Sequence, residues 1–356
     1  MPERFEHVTD TLYEDAVAQP VPITLTVRLP AQPQVLKRKW DREIVQRHWL
    51  EDAHAGVISI IEKTYFQPSL PIEYLVYRAL PTRGGRRWRM PDIYCLRRGQ
   101  DFHSIFMEDV KSSGYATVPH EPERLRDAAE VVGRMNRTLA LNARIRKKVP
   151  EARLPREFFA FGARAPLDFP DFIDPATSRR AVAARHRLHA VLKAQRKLHR
   201  RMPFLFAHGD VNRANLVQHK RSGDYLLLDW ALARFLPACG DLSQLLFGSF
   251  WGYSPFGREK APRDGASAVE VEPLLIAAYL DGLRLDDIGA EECSLGLDLT
   301  TVKYQFNERL PKALRHMKPP QTPQEEERMA QIQANLEIMS AKVESVCDRL
   351  ERLPAA

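Results

Sequence analysis

The chain has 356 residues, 44% of them hydrophobic and 28% charged, with 26 prolines. That length carries about two structural units with a sizeable core, and a mean hydropathy of −0.38 excludes a membrane-embedded or wholly disordered chain. The net charge of +7 is concentrated: residues 123–201 hold 20 Lys/Arg against 8 Asp/Glu, which reads as the solvated outer faces of helices. Nucleic-acid binding is disfavoured, because no aromatic interleaving accompanies the charge.

The first residues, Met1-Pro2-Glu3-Arg4-Phe5-Glu6, are charged where a secretory signal would be apolar. No stretch approaches the roughly 18 apolar residues that span a bilayer. Cys95, Cys239, Cys293 and Cys347 lack the paired spacing of a zinc site or disulfide framework. Together these features predict a cytoplasmic protein with reduced thiols and no membrane partner.

Residues 21–29 and 35–40 carry β-branched and apolar residues around prolines and read as short strands. The β-branched run over 56–66 predicts a firmer strand, closed by Pro68 and Pro71. Residues 72–80 place Ile72, Leu75, Val76 and Ala79 on one helical face. A basic Gly-Gly turn follows at 83–89, then strands at 92–96 and 104–110. Proline at 122 opens a helix expected to run to about 148. A second helix is expected over 177–201, with Ala181, Ala184, Leu188, Val191 and Leu198 facing inward.

Residues 216–218 and 225–228 flank the polar turn Ser222-Gly223-Asp224, a hairpin pattern. Helices separated by Pro/Gly loops then fill the chain to about 316. After Pro323, apolar residues at Met329, Ile332, Leu336, Met339, Val343, Val346, Leu350 and Leu353 alternate spacings of three and four. Two readings of that pattern stay open: a coiled-coil seam forming a homodimer through 325–353, or an amphipathic helix docked on its own domain.

The informative stretch is His208-Gly209-Asp210, then Asn215, then the strand ending in Asp229-Trp230. Phosphoryl transfer from ATP needs a carboxylate to orient or deprotonate the attacking hydroxyl, and hard oxygen ligands to hold Mg²⁺ against the phosphates. An Asp, an Asn five positions on and an Asp at the end of a returning strand could supply these parts.

This H-G-D-x4-N pattern with its following D-W resembles the aminoglycoside phosphotransferase and choline kinase-like family. The resemblance implies an α+β, two-lobed protein-kinase-like fold, with a sheet-rich N-lobe (1–110), a helical C-lobe (111–322) and the C-terminal heptad helix (323–356). It implies Asp210 as catalytic base, His208 as a scaffold of the same catalytic loop, and Asn215 and Asp229 as Mg²⁺ ligands. Asp241 resembles the aspartate that braces this loop. Upstream, Lys63 and Glu73 resemble the strand lysine and helix glutamate of the nucleotide site, with Lys37 a competitor for the lysine role. Phe106-Met107-Glu108-Asp109-Val110 resembles the inter-lobe hinge, where backbone groups of Glu108 and Val110 would bind adenine.

The sequence departs from the family in having no glycine before Gly56, so a phosphate-covering loop must lie at 51–56 or in an earlier glycine-free hairpin. Two functional readings follow. One is an ATP- and Mg²⁺-dependent kinase acting on a hydroxyl of a small acceptor; the other is a weak or inactive kinase-fold protein serving as a nucleotide-dependent binding or dimerisation module. Residues 255–300 hold 10 Asp/Glu and 4 Lys/Arg, which leans towards a cationic acceptor such as an amino sugar or amino alcohol. Phe250, Trp251, Tyr253 and Phe256 could stack on it or fill core.

Overall fold

The computed structural model describes residues 33–39, 42–52, 56–67, 69–80, 87–119, 121–142, 145, 167–194, 202–248, 250–252 and 262–353. The expected strand at 21–29, Leu198, Tyr253 and Phe256 lie outside them, as does the tip of the expected phosphate-covering loop at 53–55. The chain divides into two compact units. The first comprises residues 1–119, 138–153 and 213–233; the second comprises 120–137, 154–212 and 234–356.

The first unit is built on an antiparallel sheet of order β1-β2-β3-β6-β5. Its strands are β1 (Gln34–Lys39), β2 (Glu43–Asp52), β3 (Gly56–Tyr65), β5 (Ile93–Arg98) and β6 (His103–Glu108). The β-branched run predicted over 56–66 is β3, and in its central position between β2 and β6 it buries Ile60 and the run Lys63, Thr64 and Tyr65. Helix α1 (Ile72–Ala79) buries Glu73, Tyr74, Val76, Tyr77 and Ala79. A second sheet, β4-β10-β9-β7, contains the predicted hairpin as β9 (Leu216–His219) and β10 (Tyr225–Leu227), with Gly223 in the left-handed region its turn requires. Strand β7 (Tyr115–Thr117) pairs with β9, while β4 (Trp88–Arg89) runs parallel to β10. Residues 88–89 therefore form a strand where the sequence suggests only a turn. Their ladder partner lies more than 130 residues away, so no local pattern announces it.

In the second unit, residues 122–137 of α2 (Pro122–Leu141) cross α5 (Gly265–Leu283) through a reciprocal pair of glycines. A Cβ at Gly133 would strike the Tyr279 carbonyl, and one at Gly282 would strike the Glu130 carbonyl. Only glycine admits this backbone approach. Helix α3 (Pro175–Ala194) starts two residues before the predicted position, because Asp174 caps it by accepting the Thr177 N–H at 2.7 Å and Pro175 suits the first turn. Strands β8 (Phe204–Ala207) and β11 (Arg234–Pro237) form an antiparallel ribbon, with α4 (Leu242–Phe247) following. Instead of loop-separated helices, residues 290–314 run continuously through α6 (Ala290–Thr301), a π-helical segment (Val302–Arg309) and α7 (Leu310–Leu314).

Helix α8 (Pro323–Arg352) opens on a capping box in which Thr322 Oγ1 accepts from Glu325 N–H and Glu325 accepts from Thr322 N–H. Ile332, Leu336, Met339, Val343, Val346 and Leu350 are all buried within the single chain. Arg180 of α3 bridges Glu337 and Glu344, and Arg187 bridges Asp348 and Glu351. The predicted seam is thus filled from inside the second unit. This is the docked-helix alternative of the two readings; a homodimer through 325–353 is not shown.

Candidate active site

Lys63 sits in the middle strand β3, paired across the sheet with Val45 and Ile105. Its Nζ lies 2.6 Å from Glu73 Oε2 on α1 and 2.7 Å from Asp229 Oδ1 just past β10. Burial opposes the ammonium charge, but Glu73, with Tyr65 and Asp229, outweighs it and drives the Lys63 pKa well above the usual lysine value. Glu73 is fixed in turn: Tyr65 donates its hydroxyl hydrogen to Oε2, and Trp230 donates its backbone N–H to Oε1 at 3.2 Å. Lys37, the competing lysine, pairs instead with Glu43 at 2.8 Å on the edge of the sheet.

Asp229 adopts a left-handed backbone (φ 60°) unusual for a residue with a side chain, at the turn into the 3-10 segment Trp230–Leu232. Its side chain keeps 39% exposure, against 7% for Lys63, so one carboxylate oxygen face points away from the lysine. The Leu228 N–H donates to the Asn215 carbonyl at 2.8 Å, which places Asn215 beside the residue preceding Asp229. The two Mg²⁺ ligands expected from the sequence therefore belong to one corner of the first unit. Their donor chemistry, one neutral and one anionic hard oxygen, suits Mg²⁺. Among the described residues no group of three His, Cys, Asp or Glu is arranged to hold a metal alone, so this pair would need phosphate oxygens to complete a coordination shell.

At the end of β6, the Glu108 carboxylate is engaged by Arg89, whose Nη1 and Nη2 each donate at 2.8 Å. Burial alone would raise the Glu108 pKa; the Arg89 hydrogen bonds and charge reverse that and lower it. The Glu108 N–H donates to the Asp92 carbonyl at 2.9 Å, and the Val110 carbonyl accepts from Ser113 at 3.2 Å. Arg89 also donates to the Tyr115 hydroxyl at 3.0 Å. The Glu108 side chain is therefore a brace for the strand end.

In the second unit, β8 delivers the chain into His208-Gly209-Asp210. Asp241 accepts the Gly209 N–H at 2.7 Å on Oδ1 and the His208 N–H at 3.0 Å on Oδ2. Asn136 of α2 donates to Asp241 Oδ2 at 3.1 Å, and the Tyr279 hydroxyl of α5 donates to Asn136 Oδ1 at 2.8 Å. His208 is wholly buried and its Nδ1 accepts the Asp210 N–H at 3.3 Å. Gly209 supplies a positive φ of 80°. The loop is thus held by a buried polar network while Asp210 stays partly exposed.

The structure groups Lys63, Glu73, Asn215 and Asp229 in the first unit, and His208, Asp210 and Asp241 in the second. Tyr65, Arg89, Asn136 and Tyr279 escape sequence reasoning. Asn136 and Asp241 lie 105 positions apart, and no spacing rule connects them. Phe250 and Trp251 are buried, and the Trp251 indole N–H donates to the Gln305 carbonyl at 2.8 Å, so both are core.

The model of a family described as the phosphotransferase enzyme family matches residues 34–282. A search of curated proteins gives no significant match. Among solved structures, a spectinomycin phosphotransferase in complex with ADP and spectinomycin aligns over 87% of this chain and 94% of its own, at 11% identity and a TM-score of 0.46. A Plasmodium vivax ethanolamine kinase aligns over 87% and 84%, at 13% identity and 0.47. A microcompartment-associated aminopropanol kinase aligns over 96% and 97%, at 15% identity and 0.46.

Proposed function

Since the chain belongs to the phosphotransferase enzyme family, we propose that it transfers the γ-phosphoryl group of ATP to a hydroxyl of a small-molecule acceptor. The observation that carries this reading is the buried Lys63–Glu73 pair joined to Asp229. A lysine held between two carboxylates in a strand centre is costly to desolvate, and it has a use if its charge is turned towards nucleotide phosphates. Asp210 would orient and deprotonate the attacking hydroxyl, an effect typically worth about 10²–10⁴ in rate. Asn215 and Asp229 would hold Mg²⁺, which when bound neutralises charge on the phosphate oxygens. Backbone groups of Glu108 and Val110 would meet the adenine.

Catalysis on this reading is positioning and electrostatics, with no covalent intermediate on the protein. The competing reading, a nucleotide-dependent binding module with weak or no turnover, is favoured by the absence of glycine before residue 56. Incubation of the purified protein with γ-labelled ATP, Mg²⁺ and a panel of hydroxyl compounds separates the two. Stoichiometric transfer of label to one acceptor is expected. Saturable ATP binding without transfer or hydrolysis would leave only the binding module.

A further inference from the structure

Four of the ten acidic residues of 255–300 have structural occupations among the described residues. Glu272 and Asp298 accept from the half-buried Lys342 and Arg349, Asp264 caps α5, and Glu292 accepts the Gly289 N–H at the start of α6. Within the second unit, the charge of Arg309 bears on Asp210.

The register of β8 with β11 sets Arg234 opposite Ala207, the residue before His208. The Arg234 guanidinium stacks over the Tyr304 ring, 5.2 Å from its centroid, and Tyr304 lies on the π-helical segment. π-Helical turns are rare and concentrate at functional sites. Arg234 forms no ion pair among the described residues, and its buried Nε has no hydrogen-bond partner there; the buried Tyr304 hydroxyl has none either. Arg309, five positions on, is anchored by donating to the Gly248 carbonyl at 2.5 Å. Burial disfavours its charge, and Asp210 is the first carboxylate that offsets this, followed by Glu308. Of the carboxylates near this cluster, Asp241 is engaged by the loop backbone and Glu308 is exposed. The Arg234 Nε and the Tyr304 hydroxyl are therefore donors without a partner among the described residues, on elements that border the catalytic loop in register and charge.

Resting on the phosphotransfer reading, we propose that the acceptor is an anionic hydroxy compound, and that Arg234, Tyr304 and Arg309 hold its carboxylate or phosphate group beside Asp210. A cationic acceptor would leave the Arg234 Nε and the Tyr304 hydroxyl unpaired in a buried site, where each missing hydrogen bond is penalised. An anionic oxygen accepts from both, and the Arg fork matches it geometrically.

The test is calorimetric binding and phosphoryl transfer on the full chain, using glycerate, gluconate and glycerol 3-phosphate against glycerol, ethanolamine and glucosamine. At least one anionic probe should bind saturably, with glycerate or gluconate favouring a carboxylate and glycerol 3-phosphate a phosphate. Loss of one charge-assisted contact predicts binding weaker by about tenfold or more in Arg234→Gln. Tyr304→Phe, which keeps the stacked ring, should weaken it several-fold. No saturable binding of any anionic probe, or binding undiminished in both variants, would overturn the proposal. Transfer to ethanolamine or glucosamine alone would overturn the anionic class and keep the kinase. Variant-sensitive anion binding without transfer to any acceptor would keep the anion site and remove the kinase reading.

Discussion

Lys63 Nζ lies 2.6 Å from Glu73 Oε2, and the two side chains are only 7% and 1% exposed. Removing Lys63 strands the Glu73 charge in the sheet–helix interior, a change that typically costs about 3–5 kcal/mol, whereas removing Glu73 leaves Lys63 its Asp229 partner at 2.7 Å and costs less. Lys63→Met and Glu73→Gln should each lower the urea midpoint accordingly. The double variant should recover much of that loss, because neither buried charge remains uncompensated. Phosphoryl transfer should stay abolished in all three. Recovery of turnover with stability in the double variant would make the pair purely structural.

Asp210 is poised differently. It is partly exposed at the end of a rigidly held loop, with its N–H bonded to His208 Nδ1. Asp210→Asn preserves shape and the backbone bond while removing the proton acceptor. Turnover should fall by about 10²–10⁴ with thermal stability and ATP affinity little changed, a pattern expected when a contact matters only in the transition state.

Asp241 accepts two backbone N–H groups and one amide from Asn136. Asp241→Asn must present an NH₂ to one of those donors, leaving a buried donor unpaired at about 1–3 kcal/mol. The His208–Asp210 loop loses its brace, so kcat should drop further than the stability loss alone explains. Urea denaturation measured beside kcat at saturating ATP distinguishes this from general unfolding; equal activity per folded molecule would refute a positioning role.

Much of this was legible in the sequence because it depends on local pattern. The β-branched run of β3, the hairpin around Gly223 and the spacing from Asp210 to Asn215 and Asp229 are short-range signals. The supporting partners were not legible. Arg89 reaches Glu108 through a two-residue strand that exists only because β10 lies beside it. Asn136 and Tyr279 reach Asp241 across a glycine-to-glycine helix crossing. The heptad pattern of α8 fixed which face is buried but not what covers it, since a stripe of spacing three and four fits an intramolecular groove as well as a second copy.

The Arg89–Glu108 pair gives a pH dependence. Burial would raise the Glu108 pKa, but the Arg89 hydrogen bonds and charge lower it below the usual glutamate value. A depressed folded pKa contributes stability that is complete above the unfolded value and is lost as pH falls through the folded one. Thermal stability should therefore decline below about pH 4.5. In Glu108→Gln that portion of the acid decline should disappear, while stability at pH 7 falls through loss of the bidentate contact. An identical acid limb in the variant would remove Glu108 from this account.

Asn335 decides how α8 is used. It is fully buried, donates to the Phe250 and Arg263 carbonyls at 2.8 and 2.9 Å, and accepts the Gly265 N–H at 3.1 Å. Asn335→Leu adds apolar surface, which would strengthen association if α8 lined a dimer seam. In the docked arrangement the same change leaves two carbonyls and one N–H buried without partners, a cost of several kcal/mol at about 1–3 each. The variant should therefore melt lower with no gain in sedimentation mass. A stabilised, heavier species would return α8 to the role of an intermolecular helix.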